Sequence, residues 1–177
     1  MFFSPFVIQA DTGERVPVRI EPATQAQLEA THRKPQWQTD WTSEYLSAPS
    51  VEKFAAVREN GEMIGLGAYQ IRGSQAYVYI VYAESAPHSN PTIQQPGERK
   101  YYGIGKLLIA FGIKYSIDNG CRGDVVFEAK TDSLANHYEK DFHAVRIPSL
   151  GEGVKRYMLA DEHAWNVFSQ FLEEDVQ

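Results

Sequence analysis

The chain has one cysteine, Cys121, in 177 residues. An intrachain disulfide is therefore impossible and a zinc site built from several cysteines is excluded, so no metal is expected. No apolar run approaches the length that crosses a bilayer, and the opening MFFSPFVIQADTGE lacks a basic flank and is interrupted by Pro5. That opening reads as a first strand, with no membrane contact and a cytoplasmic location as the default. Basic residues are in the minority, 17 Lys and Arg against 23 Asp and Glu, for a net charge of −6. A nucleic-acid partner, which needs clustered cations to displace phosphate counterions, is not indicated. Repeats and low-complexity segments are missing too, and the length suits one buried core, so residues 1–177 are read as a single domain.

What is present alternates between strand-like and helix-like periods. FVIQ, DTGE and RVPVRIE read as strand, tight turn and strand, because Asp and Gly supply the backbone angles of a hairpin. The stretch from Thr24 to Leu46 has a helical pattern broken at Pro35, which predicts two short helices with Trp37 and Trp41 near the joint. EKFAAVREN, GEMIGLGAYQIRG and SQAYVYIVYAES predict an antiparallel meander, and the prolines of APHSNPTIQQPGERK mark a long surface loop. Ile104, Leu107, Leu108, Phe111 and Tyr115 then recur at helical spacing, predicting a helix from Gly103 to Asn119 with Gly120 at its end. DVVFEAK reads as a strand, TDSLANHYEKD as a short helix, HAVRI and VKRYMLAD as strands, and EHAWNVFSQFLEE as a terminal helix.

The segment KYYGIGKLLIAFGIKY carries the strongest functional signal. Two glycines at the head of a helix form an anion site: amide hydrogens without partners point outward, the helix dipole favours negative charge, and the missing Cβ atoms let a pyrophosphate approach. The amides of Tyr102 to Lys106 are the expected donors, with the ammonium groups of Lys100 and Lys106 beside them. A Walker loop would need glycine where Lys100 stands and Ser or Thr where Leu107 stands; a dinucleotide fingerprint would need glycine at Leu108 and a βαβ unit. Both fail.

The pattern that remains, KYYGIG, resembles the acetyl-CoA signature of the GNAT superfamily of N-acetyltransferases, with Lys100 where that family has Gln or Arg. SLANHYEKDFHAVRI resembles its later segment ending in YEK, any residue, GF, and the order of predicted elements is similar over roughly residues 16 to 160. ESAPHSN, VVFEAKT and HYEK are further similar to a bacterial subgroup of unassigned acceptor. Two departures stand out: His143 occupies the place of the family's turn glycine, and Thr131 that of an asparagine early in the preceding helix.

The resemblance implies an α/β fold of the α+β type: a mixed, mostly antiparallel central sheet flanked by helices and splayed between strands four and five. It implies acetyl-CoA as co-substrate and transfer of the acetyl group to a primary amine of a small molecule or protein by direct attack. The cofactor-binding residues it implies are Val81 and Tyr82 in a bulged strand, then Lys100, Tyr101, Tyr102, Gly103, Ile104, Gly105 and Lys106. Tyr138 would protonate the departing thiolate, a role suited to a phenol, which is a weak acid near neutral pH. Glu84 is the first candidate to take the amine's proton, ahead of Glu128 and His88. Trp37, Trp41 and Tyr45 are candidates for the acceptor wall, with core packing the alternative. Cys121 reads as an inert filler, and a homodimer through the terminal segment is compatible with such a fold. The other reading of the same residues is a CoA-binding or interaction module on the GNAT scaffold without useful turnover.

Overall fold

The protein was analysed as a computed structural model that describes residues 1–149, 151 and 153–175. Its first strand, β1 (Phe2–Phe3), precedes the expected hairpin of β2 (Phe6–Gln9) and β3 (Arg15–Pro22), in which Val7 lies opposite Val16 and Gly13 turns the chain at φ 72°. Thr24 caps helix α1 (Gln25–Ala30) through a reciprocal pair of bonds with Gln27. The meander forms as β4 (Val51–Arg58), β5 (Met63–Arg72) and β6 (Tyr77–Ser85), and the proline-rich stretch after it returns the chain to a two-residue strand, β7 (Tyr101–Tyr102). Helix α2 (Ile104–Asp118) follows, then β8 (Val125–Ala129), α3 (Asp132–Asp141), β9 (Val145–Ile147), β10 (Lys155–Leu159) and α4 (Asp161–Phe168).

The nine-stranded sheet runs β7-β2-β3-β4-β5-β6-β8-β10-β9, and every neighbouring pair is antiparallel except β6 with β8. That parallel pair stops after Val78↔Val125 and Tyr79↔Val126, although both strands continue. On its other side β6 carries a bulge: Ala68 faces Tyr82 and Tyr69 faces Ile80, so Val81 is the extra residue. The sheet is thereby splayed, as expected, between the strands that are fourth and fifth in the family's count and are β6 and β8 here. Apolar clusters cover both faces, one built on α2, α4 and β8, the other on Leu28, Trp37, Trp41 and Leu46. Helix α2 lies close to the sheet because Gly112 has no side chain; a Cβ there would sit 2.9 Å from Ile80 Cδ1. Tyr69, fully buried, fixes the same contact by donating its hydroxyl to the Leu108 carbonyl at 2.7 Å.

Two expectations about elements are corrected. The second short helix before Leu46 does not form; residues 31–44 are irregular and end in a 3-10 turn at Tyr45–Ser47. Asp40 instead draws the amide and hydroxyl of Thr42 into a local turn, a side-chain alternative to helix hydrogen bonds. The terminal helix stops at Phe168, and β11 (Leu172–Glu173) pairs with β1, an association between chain ends that local periodicity does not carry. Among the described residues no helix is long and apolar enough to cross a membrane.

The departure at His143 has a backbone meaning. His143 sits at φ 56°, in the left-handed region where glycine is favoured, and its side chain is exposed. His143→Gly is therefore expected to stabilise the protein by about 0.5–1 kcal/mol, the relieved strain less the added chain entropy. A thermal scan should register this as a rise in Tm of about 2 °C; a fall would mean that the imidazole makes a contact worth more than the strain.

Candidate active site

Where β6 and β8 part, the structure opens a cleft of about 870 Å³. Val81 and Tyr82 of β6, the run Tyr101 to Lys106, and Tyr138 of α3 all line it, and so does Glu84. These are the residues nominated from the sequence, with one exception. Lys100 is turned aside: its Nζ donates to Glu62 Oε2 at 2.8 Å, and Glu62 holds its pKa above the usual lysine value. The preceding residue, Arg99, does line the cleft, and its Nε is buried without a hydrogen-bond partner among the described residues.

At the head of α2, Gly103 adopts φ 88°, and the first helical bond runs from Leu107 N to Gly103 O. No side chain caps the helix and no acidic residue stands in its first turn, so the amides of Ile104, Gly105 and Lys106 lack partners among the described residues. Tyr101 contributes its ring but not its amide, which donates to Ser89 Oγ at 3.0 Å. Gly103 is required by its backbone angle. Gly105 is not: its backbone is helical and a Cβ would meet nothing within 4 Å. The fold itself would accept a side chain there, whereas a ligand seated on the amides would not. Lys106 donates to Gln170 Oε1 at 2.6 Å, and desolvation, reinforced by nearby Arg15, lowers its pKa.

Tyr138 packs edge-on to Phe127, with centroids 4.8 Å apart, and lies against Phe142 and Tyr157. Burial alone pushes its phenol pKa up to about 12, which leaves a neutral O–H donor on the cleft wall across the neutral range. Glu84, 5% exposed, accepts from the Gln38 amide at 2.6 Å, the Thr39 amide at 3.1 Å and Trp41 Nε1 at 3.0 Å. The carboxylate thus holds the irregular segment against the sheet and keeps one of its four lone-pair positions, on Oε2. Glu128 is paired with Arg156, Nη2 to Oε1 at 2.7 Å. His88 is engaged at both nitrogens, by Ser89 Oγ at 2.6 Å and Glu62 Oε1 at 3.1 Å, and desolvation lowers its pKa. Trp41 and Trp37 belong to the second apolar cluster and only Tyr45 of the three aromatic candidates reaches the cleft. Cys121 is buried, its thiol directed to the Gln75 carbonyl and its pKa raised by desolvation.

No protein-family profile matches the chain. No curated protein matches it either. Solved structures do. A spermidine N-acetyltransferase from Vibrio cholerae in complex with CoA and spermine aligns with TM-score 0.58 and 16% identity over 84% of this chain and 98% of its own. The Vibrio cholerae spermidine/spermine N-acetyltransferase SpeG with manganese ions gives 0.58 and 14% over 84% and 95%. A Bacillus subtilis acetyltransferase in complex with CoA gives 0.53 and 16% over 81% and 97%. The fold is that of the GNAT acetyltransferases, as the sequence resemblance implied.

The contrast between the two glycines yields a test. Gly105→Val should leave the thermal midpoint within about 2 °C, since valine is no worse than glycine in a helix, yet weaken CoA binding at least about tenfold by calorimetry. Unchanged affinity would mean that nothing docks on those amides.

Proposed function

We propose that this chain, as a single domain, is an acetyl-CoA-dependent N-acetyltransferase that acts on a primary amine by direct attack. The observation that carries the reading is the convergence on one cleft of the amides at the head of α2 and the hydroxyl of Tyr138, none of which has a hydrogen-bond partner among the described residues. When bound, acetyl-CoA supplies an activated thioester. The amides of Ile104, Gly105 and Lys106 hold its pyrophosphate, with Arg99 as the nearby cation. Backbone groups of β6 beyond Tyr79, left without β8 partners, pair with the pantetheine arm much as a missing strand would. Tyr138 gives its proton to the sulfur as the C–S bond breaks, while the amine nitrogen forms the new C–N bond. The open lone pair of Glu84 Oε2 receives an N–H of the acceptor, orienting its nitrogen and passing its proton toward solvent.

A second reading has one observation in its favour. Glu84, Glu128 and His88 are all engaged by protein partners, which is what a CoA-binding module without turnover would show. Thiol release from acetyl-CoA with a panel of amines separates the two: sustained release establishes transfer, whereas heat of CoA binding without release establishes the module.

Two substitutions test the assigned roles. Tyr138→Phe is expected to lower kcat by about 10²-fold or more with CoA affinity unchanged, the usual scale for a lost general acid. With the phenol pKa pushed up to about 12, the wild-type rate should show no alkaline limb from Tyr138 below about pH 10. Glu84→Gln sets an amide donor among three N–H groups, and is expected to lower stability by about 2 kcal/mol as well as kcat. Lost rate at an unchanged denaturation midpoint would instead assign Glu84 to proton transfer alone.

A further inference from the structure

Among the described residues, a cation at the β8 side of the cleft has no ion-pair partner. Lys130, the residue after β8, lines the cleft with its Nζ 4.5 Å from the centroid of the Tyr82 ring. It makes no ion pair and no hydrogen bond among the described residues, and the residue is exposed. Partial desolvation lowers its pKa, opposed by the charge of Glu84, so the two side chains lie within Coulomb range of each other. Glu84 in turn accepts from the Gln38 amide, and Gln38 Oε1 accepts from Asn90 Nδ2 at 3.2 Å, while the one proton of Thr92 Oγ1 lies between Gln38 Oε1 at 2.9 Å and Asn90 Oδ1 at 2.8 Å. Gln38 Nε2 is a donor with no acceptor among the described residues.

Among the described residues, both carboxylates facing the same space have protein partners. Glu84 has a single lone-pair position left, on Oε2, and Glu128 is ion-paired through Oε1 with Arg156, which also lies over the Tyr79 ring. Neither is a free counter-ion for a row of ammonium groups. What the corner offers without a described partner is the Lys130 ammonium and the Gln38 amide donor. An anionic group on a small ligand is the complement of those two.

The geometry points to an acceptor that is an amine bearing an anionic group, carboxylate or phosphate, a few bonds from the reacting nitrogen. Lys130 holds the anion while Glu84 Oε2 takes an N–H of the amine. This rests on the acetyl-transfer reading and narrows it. It also sets the acceptor apart from the spermine bound by a structural neighbour at 16% identity.

The test uses matched probes with acetyl-CoA: α-amino acids against their amides, phosphoethanolamine against ethanolamine, and spermidine. Thiol release is measured for the wild type, Lys130→Gln and Lys130→Glu, with CoA binding followed by calorimetry in each. The anionic member of at least one pair should exceed its neutral counterpart by about tenfold or more in kcat/KM, and the pair that does so identifies carboxylate or phosphate as the group held. In Lys130→Gln that ratio should fall to about one, and in Lys130→Glu it should invert, with CoA affinity preserved within about twofold. Equal use of both members, preference for spermidine, or a preference that survives Lys130→Gln overturns the proposal while leaving acetyl transfer standing. Weakened CoA binding in Lys130→Gln also overturns it, by placing the lysine at the CoA end. CoA binding with no amine acetylated overturns it together with the transfer reading, and no CoA binding by the wild type removes the CoA site itself.

Discussion

Two parallel strands that stop pairing after two residue pairs are the constraint from which the rest of this structure follows. Beyond Tyr79 and Val126 the backbone groups of β6 and β8 face each other across a gap instead of a ladder. A sheet left to itself would close that gap, because buried backbone groups without partners are costly. Several contacts hold it open. At the apex, fully buried Ser116 donates to the carbonyls of Cys121 and Asp124, which pins the turn from α2 into β8. On the β8 arm, Phe127, Tyr138, Phe142 and Tyr157 form an aromatic stack that fills the space α3 must occupy. On the β6 arm, Glu84 ties the strand end to the segment that carries Trp41.

The ends of the cleft are then built from different materials. At the head of α2 the groups facing the cleft are main-chain amides, set by the left-handed Gly103 and the helix that follows, so many sequences can supply them. At the other end they are the side chains of Glu84, Gln38 and Lys130, drawn from β6, from the irregular segment and from the end of β8. Likeness at 14–16% identity is a likeness of fold, and a fold specifies backbone groups of the first kind more closely than side chains of the second.

The same division explains what could be read from the residues alone. The order of strands, the span of α2 and the glycine loop were legible because each is written in local periodicity or in a short spacing. The segment 31–44 was not, since its hydrogen bonds go to a carboxylate 43 to 46 positions away, and no helical pattern reports that debt. Nor was the pairing of β1 with β11, which joins two-residue strands from the two ends of the chain. Lys100 and Arg99 show a finer limit: both are basic and adjacent, and what separates them is Glu62, 38 positions back in the chain, which captures one while the other lines the cleft.

Charge at the cleft differs from charge on the whole molecule for a related reason. Arg99, Lys106 and Lys130 border the cleft, and Glu84 and Glu128 on its wall are held by donors of the protein itself. A pyrophosphate at one end and an anionic acceptor at the other, as proposed, are compatible with one such lining. An acceptor rich in ammonium groups would meet three cations there and carboxylates that already have protein partners. On the proposed reading, the chemistry of the acceptor follows from which carboxylates the fold holds in its own support, and Glu84, bonded to Trp41 and its neighbours, is the foremost of them.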